Sequence, residues 1–356
     1  ADAQNMFDMA PFRDEILWTT YIEYVGFEET IRCYEQFLSM GVLPHNVATF
    51  IFTLKACANL GRIAKGQEIH EEITRFGLLE KEIAIGTALV DMYAKCGALV
   101  KAQKLFNALP FWDLILWSTL IGGYAQHMHA EEALDCFDQM QLEGFSPDAV
   151  TFVSVLRACG TLQDAWKGQE AHTQIVRNGV LEADVTIGNA LIDMYADCGM
   201  VAEAQRVFDS LLVLDIISWN ALISGYIKNG HAEEAMKCFK LLKFRGFSPN
   251  PVTYSSILKA YGSIGNLSQS QDIHSEIVGM GMLNNNIIVG TALVDMYSKC
   301  GALVQAQKVF DGLFLHDVIS WSALIAGYAQ HLYHEEALSC FEKMQKGGIS
   351  PDTVTF

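Results

Sequence analysis

GTALVDMYAKCGALVKAQKLF, residues 86–106, returns as GTALVDMYSKCGALVQAQKVF at 290–310, and a third copy, GNALIDMYADCGMVAEAQRVF, starts at Gly188. The outer copies lie 204 residues apart, twice the 102-residue step that also separates Trp117, Trp219 and Trp321. A fixed period of this kind is the signature of a tandem repeat, and it organises the rest of the chain. Each super-period divides into three units, for instance Leu114 to Asp148, Ala149 to Asp184 and Val185 to Asp215, of 35, 36 and 31 residues.

Every unit carries two apolar stretches at helical spacing, such as Trp117, Leu120, Ile121 and Tyr124, then Ala133, Leu134, Phe137 and Met140, parted by a short polar break. Each unit therefore reads as a helical hairpin. A Thr or Ser near the start of the first stretch (Thr49, Thr151, Ser218, Thr253, Ser320) is expected to accept an orphan amide there. GFSPD at 144–148 and GFSPN at 246–250 stop the second helix with Gly and turn the chain with Pro.

Composition bounds the function. The 356 residues are 51% hydrophobic and 18% charged, too apolar for a disordered chain. No apolar run approaches the roughly 18 residues of a membrane span, so no membrane partner is expected. With 41 acidic against 24 basic residues the net charge is −17, which argues against a general basic surface and requires any polyanion to be held in a local groove. The cysteines recur by repeat position (Cys96, Cys198, Cys300; Cys57, Cys159; Cys33, Cys136, Cys238, Cys340) and fit helix packing better than disulfides. His70, His172 and His274 recur likewise and are read as structural. His129-Ala-Glu131 and His231-Ala-Glu233 match half of a zinc deaminase motif, but the PCxxC half is absent, so no metal, cofactor or catalytic constellation is assigned. The amino-terminal ADAQNMFDMAPFRD has no signal or transit layout and reads as a piece of something longer.

The stretch SWNALISGYIKNGHAEEAMKCFKLLKFRGFSPN, residues 218–250, resembles the plant pentatricopeptide repeat family, and the three alternating lengths are similar to its P, L and S units. That arrangement is found in organellar RNA-editing factors. The resemblance implies an all-α, right-handed superhelical solenoid of about ten near-complete units. It places the tail of an S unit at 1–14, P units at 15–46, 114–148, 216–250 and 318–352, L units at 47–82, 149–184 and 251–286 with another beginning at 353–356, and S units at 83–113, 185–215 and 287–317. The first P unit has only 32 residues and departs from the pattern between its helices.

Repeat proteins that read RNA spend two or three side chains per unit on one unstacked base. In this family the readers are the fifth and last residues of a unit. Carried over, the P and S pairs are Thr87/Asp113, Ser118/Asp148, Asn189/Asp215, Asn220/Asn250, Thr291/Asp317 and Ser322/Asp352, with Thr19/Asn46 in the first P unit. The L units supply Ser255/Asn286 and two pairs whose fifth residue is apolar, Ile51/Glu82 and Val153/Asp184. Branched second residues, Ile115, Val150, Ile217, Val252 and Ile319, would sandwich the base, and Lys95, Lys228 and Lys299 would lie near phosphates, with Asp197 replacing that lysine in the middle S unit.

Hydroxyls and amides donate or accept, whereas a carboxylate only accepts and favours bases that present N–H groups. By the family's correspondence the target is single-stranded RNA reading 5′-(A)-n-G-G-n-U-(C/U)-n-G-G-3′, with n at L units. The resemblance further implies a mitochondrial or chloroplast setting, helper proteins docking on L units, and cytidine chemistry supplied elsewhere. A competing reading is a tetratricopeptide-like protein-binding scaffold, in which the terminal Asp and Asn are simply turn formers.

Overall fold

The computed structural model describes residues 21–22, 25–39, 47–181, 184–353 and 355, and among these the regular elements are helices without a strand. Thr19 and Asn46 lie outside them. The chain divides at Asn178/Gly179 into two compact units. In the first, helices Val47–Leu60, Ile83–Lys95, Leu114–Gln126 and Ala149–Leu162 each open a hairpin that Ile63–Arg75, Leu99–Ala108, Ala130–Leu142 and Ala165–Arg177 close. In the second, Val185–Asp197, Ile216–Lys228, Pro251–Ile264, Ile287–Lys299 and Val318–Gln330 are the opening helices. Within each unit consecutive opening helices pack side by side, as a solenoid of helical repeats requires.

The aromatic period makes the core. Trp117 is fully buried with its ring edge-on to Phe106 at 4.6 Å, and Trp219 meets Phe208 at 4.7 Å, so the second helix of one repeat is locked to the first helix of the next. His70 Nδ1 lies 2.9 Å from the Tyr93 hydroxyl and His274 Nδ1 lies 2.8 Å from that of Tyr297, which gives these recurrent histidines a structural place. The cysteines are free thiols, and burial pushes Cys57 up to about 11, against nucleophilic use. Gly144 (φ +86°) and Gly246 (φ +83°) end their helices in the left-handed conformation, as the GFSP turns predict. Among the described residues no helix is long and apolar enough to cross a membrane.

The helix starts correct one expectation. Thr151, Ser218, Thr253 and Ser320 are fully buried inside the first turn, and the caps are the residues before the helices: Asp148, Asp215, Asn250 and Asp317. Each accepts the amide three residues on, at 2.9, 2.7, 2.9 and 2.8 Å. The Ser and Thr hydroxyls instead reach back, taking the cap residue's own amide at Asp215, Asn250 and Asp317 to close a capping box. An acceptor outside the helix can face its end, whereas a side chain already within the first turn is committed to packing.

Opening helices approach through small residues. A Cβ on Gly225 would stand 2.7 Å from the Ala196 Cβ, and one on Gly123 would stand 2.6 Å from that of Ala94. Alanine in a helix interior gains about 1 kcal/mol over glycine, but overpacking a tight contact costs about 1–3 kcal/mol. Gly225→Ala is therefore expected to lower the urea unfolding midpoint, by a net of about 1 kcal/mol. A raised midpoint would remove this contact as the limit on helix spacing.

Candidate nucleic-acid interface

The opening helices carry the predicted readers, and the hydrogen bonds around them join three residues rather than two. Ser118 Oγ lies 3.4 Å from Asp148 Oδ1 and 2.6 Å from Thr151 Oγ1, the third residue of the following unit. Asn220 Nδ2 donates to Asn250 Oδ1 at 3.3 Å while Thr253 Oγ1 donates to Asn220 Oδ1 at 2.7 Å. Ser322 repeats the pattern with Asp352 at 3.3 Å and Thr355 at 2.8 Å. Asn189 Nδ2 donates to Asp215 Oδ1 at 3.3 Å. No hydrogen bond joins Thr87 to Asp113, Ser255 to Asn286 or Thr291 to Asp317 among the described residues. Asp113 caps through the Leu116 amide at 2.7 Å, and Asn286 through those of Ile288 and Val289 at 3.1 and 3.3 Å. The buried third residues Thr151, Thr253 and Thr355 were missed from sequence because their position reads only as a helix start.

The capping atoms are unevenly used. Every side-chain bond accepted by Asp113, Asp148 and Asp317 falls on Oδ1, so the second oxygen keeps its lone pairs for another donor. Two of the expected reader atoms, Asn189 Oδ1 and Thr291 Oγ1, are buried with no hydrogen-bond partner among the described residues, as are the indole Nε1 atoms of Trp117, Trp219 and Trp321.

Open pockets lie at these residues. In the first unit one of about 460 Å³ is lined by Ile115, Ser118, Asp148, Val150, Lys95 and Arg157 among others. In the second, one of about 560 Å³ holds Thr291 with Asp317 and Ser322 with Asp352, beside Ser255, Lys259, Ile319 and Lys299. The branched second residues stand out of the protein: Ile115 is 64% exposed, Val150 62%, Ile217 57%, Val252 54% and Ile319 64%. Ile288, 56% exposed, holds the same place in its repeat and lines the second pocket. It was overlooked, although its position second in the unit was signal enough. Six repeats thus expose a branched apolar residue at the same place, and each exposure forgoes favourable burial.

The lysines expected near phosphates are each paired with an aspartate. Lys95 bonds Asp91 at 2.9 Å, Lys299 bonds Asp295 at 2.7 Å, and Lys228 bonds Asp197 at 2.6 Å. The half-motif histidine His129 bonds Glu132 at 3.1 Å, and no group of three or more metal-ligating side chains occurs among the described residues.

A family model described as PPR repeat family matches residues 112–161, 214–263 and 316–356, and another described as PPR repeat matches 87–110, 189–216 and 252–282, together more than half of the chain. The chain belongs to the pentatricopeptide repeat family. It is 35% identical over 361 residues to a mitochondrial pentatricopeptide repeat-containing protein of Arabidopsis thaliana, covering 100% of this chain and 47% of that protein. A chloroplastic relative from the same plant is 36% identical over 358 residues, covering 100% and 44%. The chain thus spans about half the length of the curated relatives it matches. The crystal structure of the maize pentatricopeptide repeat protein PPR10 in complex with an 18-nt psaJ RNA element superposes with a TM-score of 0.77 at 18% identity, covering 99% of this chain and 53% of that one. At that identity the likeness establishes the repeat fold.

One capping carboxylate of this pentatricopeptide array, Asp215, couples the helix start to pH. Burial would raise the Asp215 pKa, but bonds from the Ser218 amide and hydroxyl and from Asn189 outweigh it and hold the carboxyl below its ordinary 3.8. A pKa depressed on folding contributes stability above the unfolded value, lost as pH falls through the folded one. Asp215→Asn, the residue type that caps at Asn250, is expected to flatten the loss of unfolding midpoint between pH 5 and pH 3. An unchanged slope would show that Asp215 does not couple folding to protons.

Proposed function

We propose that this chain binds single-stranded RNA sequence-specifically, one base per repeat, as the recognition part of an organellar C-to-U editing or RNA-processing factor. The observation that carries the reading is the pocket at Ser118 and Asp148. A polar fifth residue and a carboxylate with an unused oxygen stand between two exposed branched side chains, Ile115 and Val150. A base needs that combination: apolar contact for its faces and directional partners for its Watson–Crick edge.

Asp148 accepts from the base N–H, guanine N1–H at this position, while Ser118 addresses a neighbouring edge atom. Thr151 fixes the Ser118 hydroxyl, so the pocket is set before RNA enters. The same parts serve at Thr87/Asp113, Asn189/Asp215, Asn220/Asn250, Thr291/Asp317 and Ser322/Asp352, flanked by Ile217, Val252, Ile288 and Ile319. Ser255 with Asn286 and Thr19 with Asn46 complete the proposed readers. The relatives' mitochondrial and chloroplastic names and the RNA bound to PPR10 support an organellar transcript as partner. Chemistry on a nearby cytidine falls to a deaminase-like domain or partner, and the L units are the proposed docking places for helper proteins.

The test is fluorescence anisotropy at 100 mM salt with two labelled RNAs, one carrying A-n-G-G-n-U-C-n-G-G and one with each specified G changed to A. Mismatches cost on the order of 1–3 kcal/mol each, so a preference of at least about tenfold is expected. Equal weak binding would discard the base assignment in favour of a protein-binding scaffold.

Asp197 acts as a brake in this scheme, since it occupies the Lys228 ammonium that would otherwise meet a phosphate. Asp197→Asn is expected to tighten cognate binding by up to about fivefold, the scale of an exposed ion pair of under about 1 kcal/mol. Unchanged or weaker binding would exclude Lys228 from the phosphate path.

A further inference from the structure

The L units are the weakest readers, yet all three carry a basic residue at the same place of the opening helix. Their fifth residues are Ile51, Val153 and Ser255, two of which have no polar edge to offer a base. The ninth residues, one turn further along the same helix face, are Lys55, Arg157 and Lys259, again 102 residues apart. At that place P units have Gly122, Ser224 and Ala326, and S units have Asp91, Asp193 and Asp295. Among the units compared, the cation is confined to the L units, two of which have an apolar fifth residue.

Arg157 lines the pocket that holds Ser118 and Asp148, and Lys259 lines the one that holds Thr291, Asp317, Ser322 and Asp352. Each of these pockets has one other cation, Lys95 or Lys299, and each of those is bonded to an aspartate. Arg157 and Lys259 are exposed and enter no ion pair among the described residues. Lys55 is exposed too, its ammonium 6.0 Å from the Phe52 ring centre and paired with no carboxylate among the described residues. In a chain with 41 acidic residues, cations left unpaired beside the readers supply the positive potential that a strand's phosphates require.

We propose that the L units are backbone anchors: Lys55, Arg157 and Lys259 each bind a phosphate of the RNA strand, so that the array alternates two base-reading units with one phosphate-holding unit. This rests on the RNA-binding reading above and adds the role of the units that reading leaves blank. An unpaired cation binds without first breaking an ion pair, so these three contribute more to affinity than Lys95, Lys228 or Lys299.

The experiment is the salt dependence of binding to the two RNAs, for the parent chain and for a triple variant, Lys55→Gln, Arg157→Gln and Lys259→Gln. A control triple, Lys104→Gln, Lys240→Gln and Lys308→Gln, makes the same charge change on exposed closing-helix sites. Each phosphate contact on a single strand contributes about 0.7 to the slope of log K against log salt. The L-unit triple is expected to lose about 2 in slope while keeping its preference for the G-containing RNA, with the control near the parent. A variant with Lys55→Arg, Arg157→Lys and Lys259→Arg should retain the parent slope. A parent slope in the L-unit triple, or an equal fall in the control, overturns the anchors and leaves base reading intact. If the parent binds both RNAs alike but the L-unit triple alone loses slope, the anchors stand and the base assignment falls. No binding by the parent overturns both.

Discussion

The residue that ends one repeat is the N-cap of the next helix, and the rest of the site depends on that double duty. Asp148 orders the amide of Thr151 through Oδ1 and lies against Ser118 through the same atom. Losing such a cap costs about 1 kcal/mol, so the fold itself holds the carboxylate at the lip of the groove. Because the helix end is bonded through Oδ1, Oδ2 is left for another donor. The proposed base-reading atom is thus positioned by the interaction that starts the next helix, and no separate device is needed to orient it.

Two other constraints act around that one. On one side of the helix Ile216–Lys228 the close contact of Gly225 with Ala196 sets the approach of the preceding opening helix, and on its other side Thr253, third in the next repeat, bonds the fifth residue Asn220. Electrostatics then divides the cations. Acidic residues one turn away, or on the neighbouring helix, pair with Lys95, Lys299 and Lys228, whereas Lys55, Arg157 and Lys259 enter no ion pair among the described residues. With a net charge of −17, a polyanion would have to be held by unpaired cations gathered along its path.

Much of this was legible in the residues. The 102-residue period, the two apolar stretches per unit and the Gly-Pro stops identify helical hairpins, and they place Trp117 and Phe137 in the core. Periodicity assigns a residue to a helix face, and a face is either packed or open, so the exposure of Ile115 and Val150 follows from their position. The capping assignment did not follow. Asp148 and Thr151 are both good capping types three residues apart, and the choice between them depends on which one the preceding repeat buries.

The sequence by itself determined the repeat, the hairpin and the places that the family resemblance marks as readers, because period and apolar spacing follow from local pattern along one chain. Only the tertiary structure decided which oxygen of a carboxylate is spent, which hydroxyl steadies a reader across a repeat boundary, and which lysines are silenced by an acid. Those outcomes depend on distances of a few ångströms between residues some 30 positions apart, such as Lys228 and Asp197. A linear pattern can name such partners, but it does not fix the separation between them.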